Sequence, residues 1–233
     1  MSLLKAAGVT VRYGAVTAVD SVDFEVAAGS MHGVIGPNGA GKSTFMDALS
    51  GRRRLVAGKV FLEDEEITRR SPTWRRLHGI SRSFQQTSVF AAMSVRAQLE
   101  MVARRTRERS LDTVIEALGL GQYLDRRCDS ISYGDQRRVD IAMALVGHPR
   151  VVLLDEPGAG LAADESARML DHVRDLCSDW KVAAVLVEHD VDGVFRVCDQ
   201  VTVLHLGRIL ASGEPAEVRR NKDVVEAYLG SAA

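Results

Sequence analysis

Residues Gly36-Pro-Asn-Gly-Ala-Gly-Lys-Ser43 form a complete G-x-x-x-x-G-K-S run. It follows the strand-like stretch Met31–Ile35 and precedes a helical pattern that starts near Thr44. Few folds accommodate such a run, because it needs a strand to deliver the turn and a helix to leave it. Its chemistry is equally restricted. The glycines Gly36, Gly39 and Gly41 let the main chain, with Pro37, Asn38 and Ala40 between them in the loop, wrap a phosphate chain with its N–H groups. Lys42 supplies positive charge to the outer phosphates, Ser43 offers a hydroxyl to Mg2+, and the helix N-terminus at Thr44 adds a favourable dipole.

The rest of the pattern surrounds this turn with strands and helices. Val9–Tyr13, Val22–Val26 and Val60–Leu62 alternate as half-buried strands, separated by Gly14, Gly29 and Gly58. Val151–Leu154 and Val182–Val187 are unbroken apolar runs of strand length, the pattern of strands covered on both faces, and they predict a parallel α/β core. From about Met93 to Leu118 long polar and aliphatic residues run without glycine or proline, which predicts a helical insertion. After Gly134, the spacing of Val139, Ala142, Met143 and Val146 predicts a helix with one buried face, stopped at His148-Pro149. Further helices are predicted over Glu165–Leu176 and Ala216–Tyr228, and strands over Val201–Leu204 and Arg208–Ala211.

Composition excludes several alternatives. With 233 residues, 46% of them hydrophobic, the chain is long enough for one large domain with a sizeable core. Thirty basic and 31 acidic residues leave a net charge of −1, and the arginine pairs are scattered among acids, so no specific nucleic-acid partner is expected. Val182–Val187 falls far short of the ~20 apolar residues of a membrane span, and no secretion signal is read at the N-terminus. Cys128, Cys177 and Cys198 are odd in number and contain no Cys-x-x-Cys pair, which predicts reduced thiols in the core.

Two further motifs carry chemistry. The strand Val151–Leu154 delivers Asp155 and Glu156 to its C-terminal end, the ligand edge of such sheets. Asp155 there organises Mg2+ and its waters, and Glu156 is one position on, placed to orient or deprotonate an attacking water. Ser132 and Gly134 open the helix that follows them and make a small anion site at its start.

In this order the motifs resemble the ATP-binding subunits of ABC transporters over nearly the whole chain. The resemblance implies a P-loop NTPase of the ABC type, an α/β fold with an antiparallel β subdomain, a parallel α/β core and a helical signature lobe. It implies one ATPase domain over 1–233, with 1–90 and 150–233 as the catalytic part and approximately 91–149 as the helical lobe. It further implies that ATP and Mg2+ are bound, and that Ser132 and Gly134 complete the ATP site of an opposing subunit in a head-to-tail dimer. Tyr13 resembles the aromatic that stacks on adenine. Gln85, with Gln86 beside it as the alternative, resembles the glutamine that touches Mg2+ and reports to the transmembrane partner. His189 resembles the switch histidine at the γ-phosphate. Tyr133, Asp135 and Ala162 depart from the broad pattern, so Asp135 is not carried over as a ligand.

Ser83-Phe-Gln-Gln-Thr87, Gly158-Ala-Gly-Leu161, Glu188-His-Asp190 and Ala227-Tyr-Leu-Gly230 resemble more narrowly the branched-chain amino-acid uptake group. Met46-Asp47 and Val201–His205 are similar to its urea- and amide-importing relatives, and lipopolysaccharide-export ATPases share much of the texture. The partners implied are permease subunits, a second ATPase subunit identical or related to this one, and, indirectly, an extracytoplasmic solute-binding protein. The implied location is the cytoplasmic face of the membrane.

Overall fold

The computed structural model describes residues 2–84, 88–106 and 111–229. Strands β1 (Ser2–Tyr13) and β2 (Val16–Ala27) form a hairpin turning at Gly14, whose φ of +58° suits glycine. β3 (Met31–Ile35) runs through the glycine-rich turn into α1 (Lys42–Leu49). Then come β4 (Ala57–Leu62), β5 (Glu65–Glu66), α2 (Pro72–Leu77) and β6 (Ile80–Arg82). Helices α3 (Val95–Thr106), α4 (Asp112–Ala117) and α5 (Tyr133–Leu145) precede β7 (Val151–Asp155). The chain continues through α6 (Ala163–Asp179), β8 (Ala183–Val187) and α7 (Val191–Val197) to the hairpin β9 (Gln200–His205) and β10 (Arg208–Gly213). It then forms α8 (Pro215–Arg220) and α9 (Lys222–Leu229).

Two sheets result. One is antiparallel in the order β2-β1-β4-β5; the other has the order β10-β9-β3-β8-β7-β6, parallel except where β10 returns along β9. β3, β7 and β8 are buried at every position, as their continuous apolar runs require. Side chains alternate faces along β7. Val151 and Leu153 pack toward Phe45 and Leu49 of α1 and the antiparallel sheet, whereas Val152 and Leu154 join the core made with α3 and α5 to α7. Asp155, two residues beyond Leu153, therefore continues on the α1 side.

The helical insertion expected over 93–118 comprises, among the described residues, two helices, α3 and α4. Two expectations need correction. The C-terminal helix is two: Asn221 separates α8 from α9, its Oδ1 accepting from the Asp223 and Val224 N–H groups at 2.9 and 3.3 Å as a cap does. α5 is buried on more than one face, since Ile141, Ala144, Leu145, Arg137 and Asp140 are enclosed as well, and Val146 lies just past its end. All three cysteines are free and buried, and burial pushes the Cys177 thiol up to about 12.

Candidate functional site

The glycine-rich turn lies at the C-terminal edge of β3, wedged between β2 and β9. A Cβ at Gly36 would overlap the Leu204 carbonyl oxygen, and one at Gly41 would overlap that of Ala18. Gly41 also has φ +104°, so only glycine fits there without strain. Gly41 is the N-cap of α1 and no side chain caps that end, so the first-turn N–H groups are satisfied by no side chain of the helix's own cap. The Lys42 ammonium is buried and donates to the Gly36 and Pro37 carbonyls at 2.6 and 3.2 Å. Burial draws its pKa below that of an ordinary lysine, opposed by the charges of Glu156 and Asp155. The loop residues and the two carboxylates thus face one site. Ser43 is exposed and Thr44 half-buried at the start of α1.

At the end of β7 the backbone turns sharply. Glu156 has φ +50°, its N–H donates to the Val187 carbonyl at 2.8 Å, and its Oε1 lies 2.9 Å from Nε2 of His189. The carboxylate is buried while the imidazole is largely exposed. Beside it, Glu188 accepts from the Gly158 N–H at 2.6 Å and from the His189 N–H at 3.2 Å. Burial raises the Glu188 pKa against those two N–H donors, and the Glu156 charge raises it further.

Asp155 is held by a residue that motif reading missed. Arg82, at the end of β6, donates to Asp155 Oδ2 at 2.7 Å and to Asp47 Oδ1 on α1 at 2.6 Å, with its side chain 8% exposed. The other oxygen, Asp155 Oδ1, is buried with no hydrogen-bond partner among the described residues. An acidic oxygen left open on a carboxylate whose charge acts on Lys42 of the glycine-rich loop fits a hard divalent cation such as Mg2+, which takes one or two protein oxygens and completes its shell with water and phosphate. Among the described residues no group of three or more His, Cys, Asp or Glu side chains is gathered that could hold a metal ion.

The remaining expected residues are distributed as follows. Tyr13 ends β1 at the tip of the hairpin whose Ala18 carbonyl abuts Gly41, and its ring carries the Arg53 guanidinium 4.3 Å from the centroid. Gln85 and Gln86 lie outside the described residues. Ser132 is the N-cap of α5, and its hydroxyl accepts from the Asp135 N–H at 3.1 Å and donates to the Asp135 carboxylate at 2.6 Å. Gly134 packs against Leu161 of the loop that precedes α6 and against Glu165 in the first turn of α6. A second missed residue, Arg137, is fully buried beneath that loop. One sign of it is present in the sequence: Arg137 precedes Ile141 by four residues and so shares its buried stripe.

Comparison with known proteins gives consistent matches. Residues 19–159 match the family described as ABC transporter, and residues 208–233 match one described as branched-chain amino acid ATP-binding cassette transporter. The chain is 32% identical to the high-affinity branched-chain amino acid transport ATP-binding protein LivG of Escherichia coli K12, over 99% of this chain and 98% of that protein. It is 31% identical to the corresponding protein BraF of Pseudomonas aeruginosa PAO1 over the same shares. An ATP-binding cassette of an ABC transporter in its ADP conformation has a TM-score of 0.90 at 28% identity, covering 99% of both chains. A nucleotide-free cassette has a TM-score of 0.89 at 27% identity, covering 98% of this chain and 99% of that one.

Proposed function

Since the chain belongs to the ABC transporter family as an ATP-binding subunit and is an ATPase, we propose that it powers uptake of branched-chain or related hydrophobic amino acids. The match of 208–233 and the likeness to LivG and BraF support uptake of that solute class over lipid export. No helix among the described residues is long and apolar enough to cross a membrane, so the solute path belongs to permease subunits. This chain sits against them on the cytoplasmic side. A solute-binding protein delivers cargo from outside, and a second ATPase subunit, identical or related, completes the dimer. Residues 91–149 act as the helical lobe and the remainder as the catalytic part.

In this reading the Gly36–Gly41 amides and Lys42 grip the β- and γ-phosphates, and Tyr13 stacks on the adenine. Ser43 and Asp155 hold Mg2+ through the Ser43 hydroxyl and Asp155 Oδ1, with Gln85 as a further contact. Mg2+, when bound, neutralises charge on the phosphate oxygens. The Glu156 carboxylate takes a proton from water as its oxygen bonds to the γ-phosphorus and the bond to the bridging oxygen breaks, leaving ADP and phosphate. His189 orients that carboxylate and reaches the γ-phosphate. Ser132 and Gly134 close over the nucleotide of the opposing subunit, so binding shuts the dimer and hydrolysis reopens it.

One observation carries the reading: the 2.9 Å pairing of Glu156 with His189, with both carboxylates of the β7 edge acting on Lys42. The test is ATP turnover of the chain purified with its membrane subunits, over a panel of leucine, isoleucine, valine, amides, urea and lipopolysaccharide. Stimulation by the branched-chain amino acids supports the proposal, and stimulation by lipopolysaccharide alone overturns it. Glu156→Gln should retain nucleotide binding and lose turnover by roughly 100-fold or more; unimpaired turnover removes Glu156 from the base role.

A further inference from the structure

Arg137 is fully buried and its guanidinium is spent almost entirely on main-chain carbonyls. Nε donates to the Pro157 carbonyl at 2.9 Å and Nη1 to the Phe84 carbonyl at 2.7 Å. Nη2 donates to the Glu156 carbonyl and approaches that of Asp155 at 3.5 Å. Asp140 is 3.6 Å away on the same helix, and the Glu188 carboxylate is near enough for its charge and that of Arg137 to act on each other. Fastening α5 to the core would not require this: an apolar side chain of similar volume packs as well and avoids the cost of stripping water from a cation. A guanidinium, by contrast, offers five N–H groups in a rigid plane and fixes the positions of several acceptors at once.

The acceptors include the most strained residue of the site. Glu156 holds φ +50°, a left-handed conformation that is strained for an L-residue with a side chain and persists only where neighbours over-determine it. Val187 holds its N–H and Arg137 holds its C=O. Its side chain meets His189 only while that peptide geometry is kept. Arg137 also lies less than two turns from Ser132, the start of the same helix, so a rigid shift of the signature end reaches the Glu156 carbonyl through one side chain.

We propose that Arg137 is a positioning residue that keeps Glu156 in its left-handed conformation and ties the placement of that carboxylate to the signature helix. This rests on the reading of Glu156 as the group that takes the water's proton. Arg137 is fully buried with its guanidinium bonded to main-chain carbonyls and acts through Glu156, so its removal should affect the chemical step and leave nucleotide binding in place.

The test compares Arg137→Ala, Arg137→Met, Arg137→Lys, Glu156→Gln and the double variant Arg137→Met with Glu156→Gln, each in the assembled transporter. The measurements are kcat and KM for ATP, and calorimetric affinity for MgATP. Arg137→Met keeps the packing of the stem and so serves even where the alanine variant fails to fold. The expected result is a kcat loss of roughly 10–100-fold in Arg137→Met with KM and affinity within about threefold. Arg137→Lys, which still reaches part of the carbonyl set, should recover part of that loss. In the Glu156→Gln background, Arg137→Met should lower the residual rate no further. Wild-type kcat in Arg137→Met, a loss confined to KM, or fully additive losses in the double variant would each overturn the proposal. Where Glu156→Gln is inactive and Arg137→Met is not, only the positioning role fails; where Glu156→Gln stays active, the base assignment fails with it.

Discussion

The N-termini of α1 and α5 are both small-residue helix starts suited to an anion, yet they are built in opposite ways. At α1 the cap is Gly41, which caps with no side chain, and Lys42 folds onto carbonyls of its own loop. At α5 the cap is Ser132, which exchanges two hydrogen bonds with Asp135, so the first turn already holds a carboxylate. The first end gains its N–H orientation from backbone alone and is ready for a polyanion by itself. The second has its cap satisfied internally and already carries negative charge, so it is not ready for a polyanion by itself. An anion site is thus defined less by glycine content than by whether the helix end has been closed by its own side chains.

The largest test of that contrast is Gly41→Ala. A Cβ there meets the Ala18 carbonyl in a positive-φ position, so the variant should lose on the order of 3 kcal/mol of stability or more and most of its nucleotide affinity, read by thermal melting and calorimetry. Lys42→Ala keeps the loop but removes its charge, and should weaken MgATP binding about 10–100-fold with little change in Tm. A third test uses the body of α5, where burial pushes the Asp140 carboxyl up to about 6 against the Ser88 and Phe84 backbone N–H groups and Arg137. Folded protein then holds a proton that unfolded chain has released. The contribution is therefore fully present below about pH 4 and is lost as the pH rises through 6. Asp140→Asn should remove that dependence, its stability relative to the parent rising by about 2 kcal/mol between pH 4 and 8 in denaturant titrations. Smallest is Ser132→Ala, which removes the cap of α5 and should cost about 1 kcal/mol, or roughly 2–4 °C in Tm, while nucleotide affinity of the single chain stays unchanged. A loss of affinity there would break the contrast, since it would place the α5 end at the nucleotide of its own chain.

The parts legible in the sequence are those whose physics is local. Gly36–Ser43, Asp155-Glu156 and the Ser132 cap each depend on neighbours within a few positions, and the apolar runs of β3, β7 and β8 reveal burial on both faces. The likeness to a known family added His189 and Tyr13, which local pattern alone would leave as a surface histidine and a strand-end tyrosine. Arg82 and Arg137 escaped because their partners are remote in the chain: Arg82 meets Asp47 and Asp155, and Arg137 meets residues 84 and 155–157. A charged residue in an apolar stripe was the available hint for Arg137. The division of 215–229 was hidden because Asn221 reads as a tolerable helix residue until its side chain is seen bonded to the next turn.

β6 and β7 lie side by side, yet residues 83–150 intervene between them. Pairing these strands during folding means closing a long loop before its contacts repay the lost chain entropy, a penalty that grows only with the logarithm of loop length but slows the search. The edge that carries Asp155 and Arg82 should accordingly be among the last parts to acquire native protection when the chain refolds, with the β1–β2 hairpin among the first. Lengthening the excursion should delay that closure far more than it lowers the final stability.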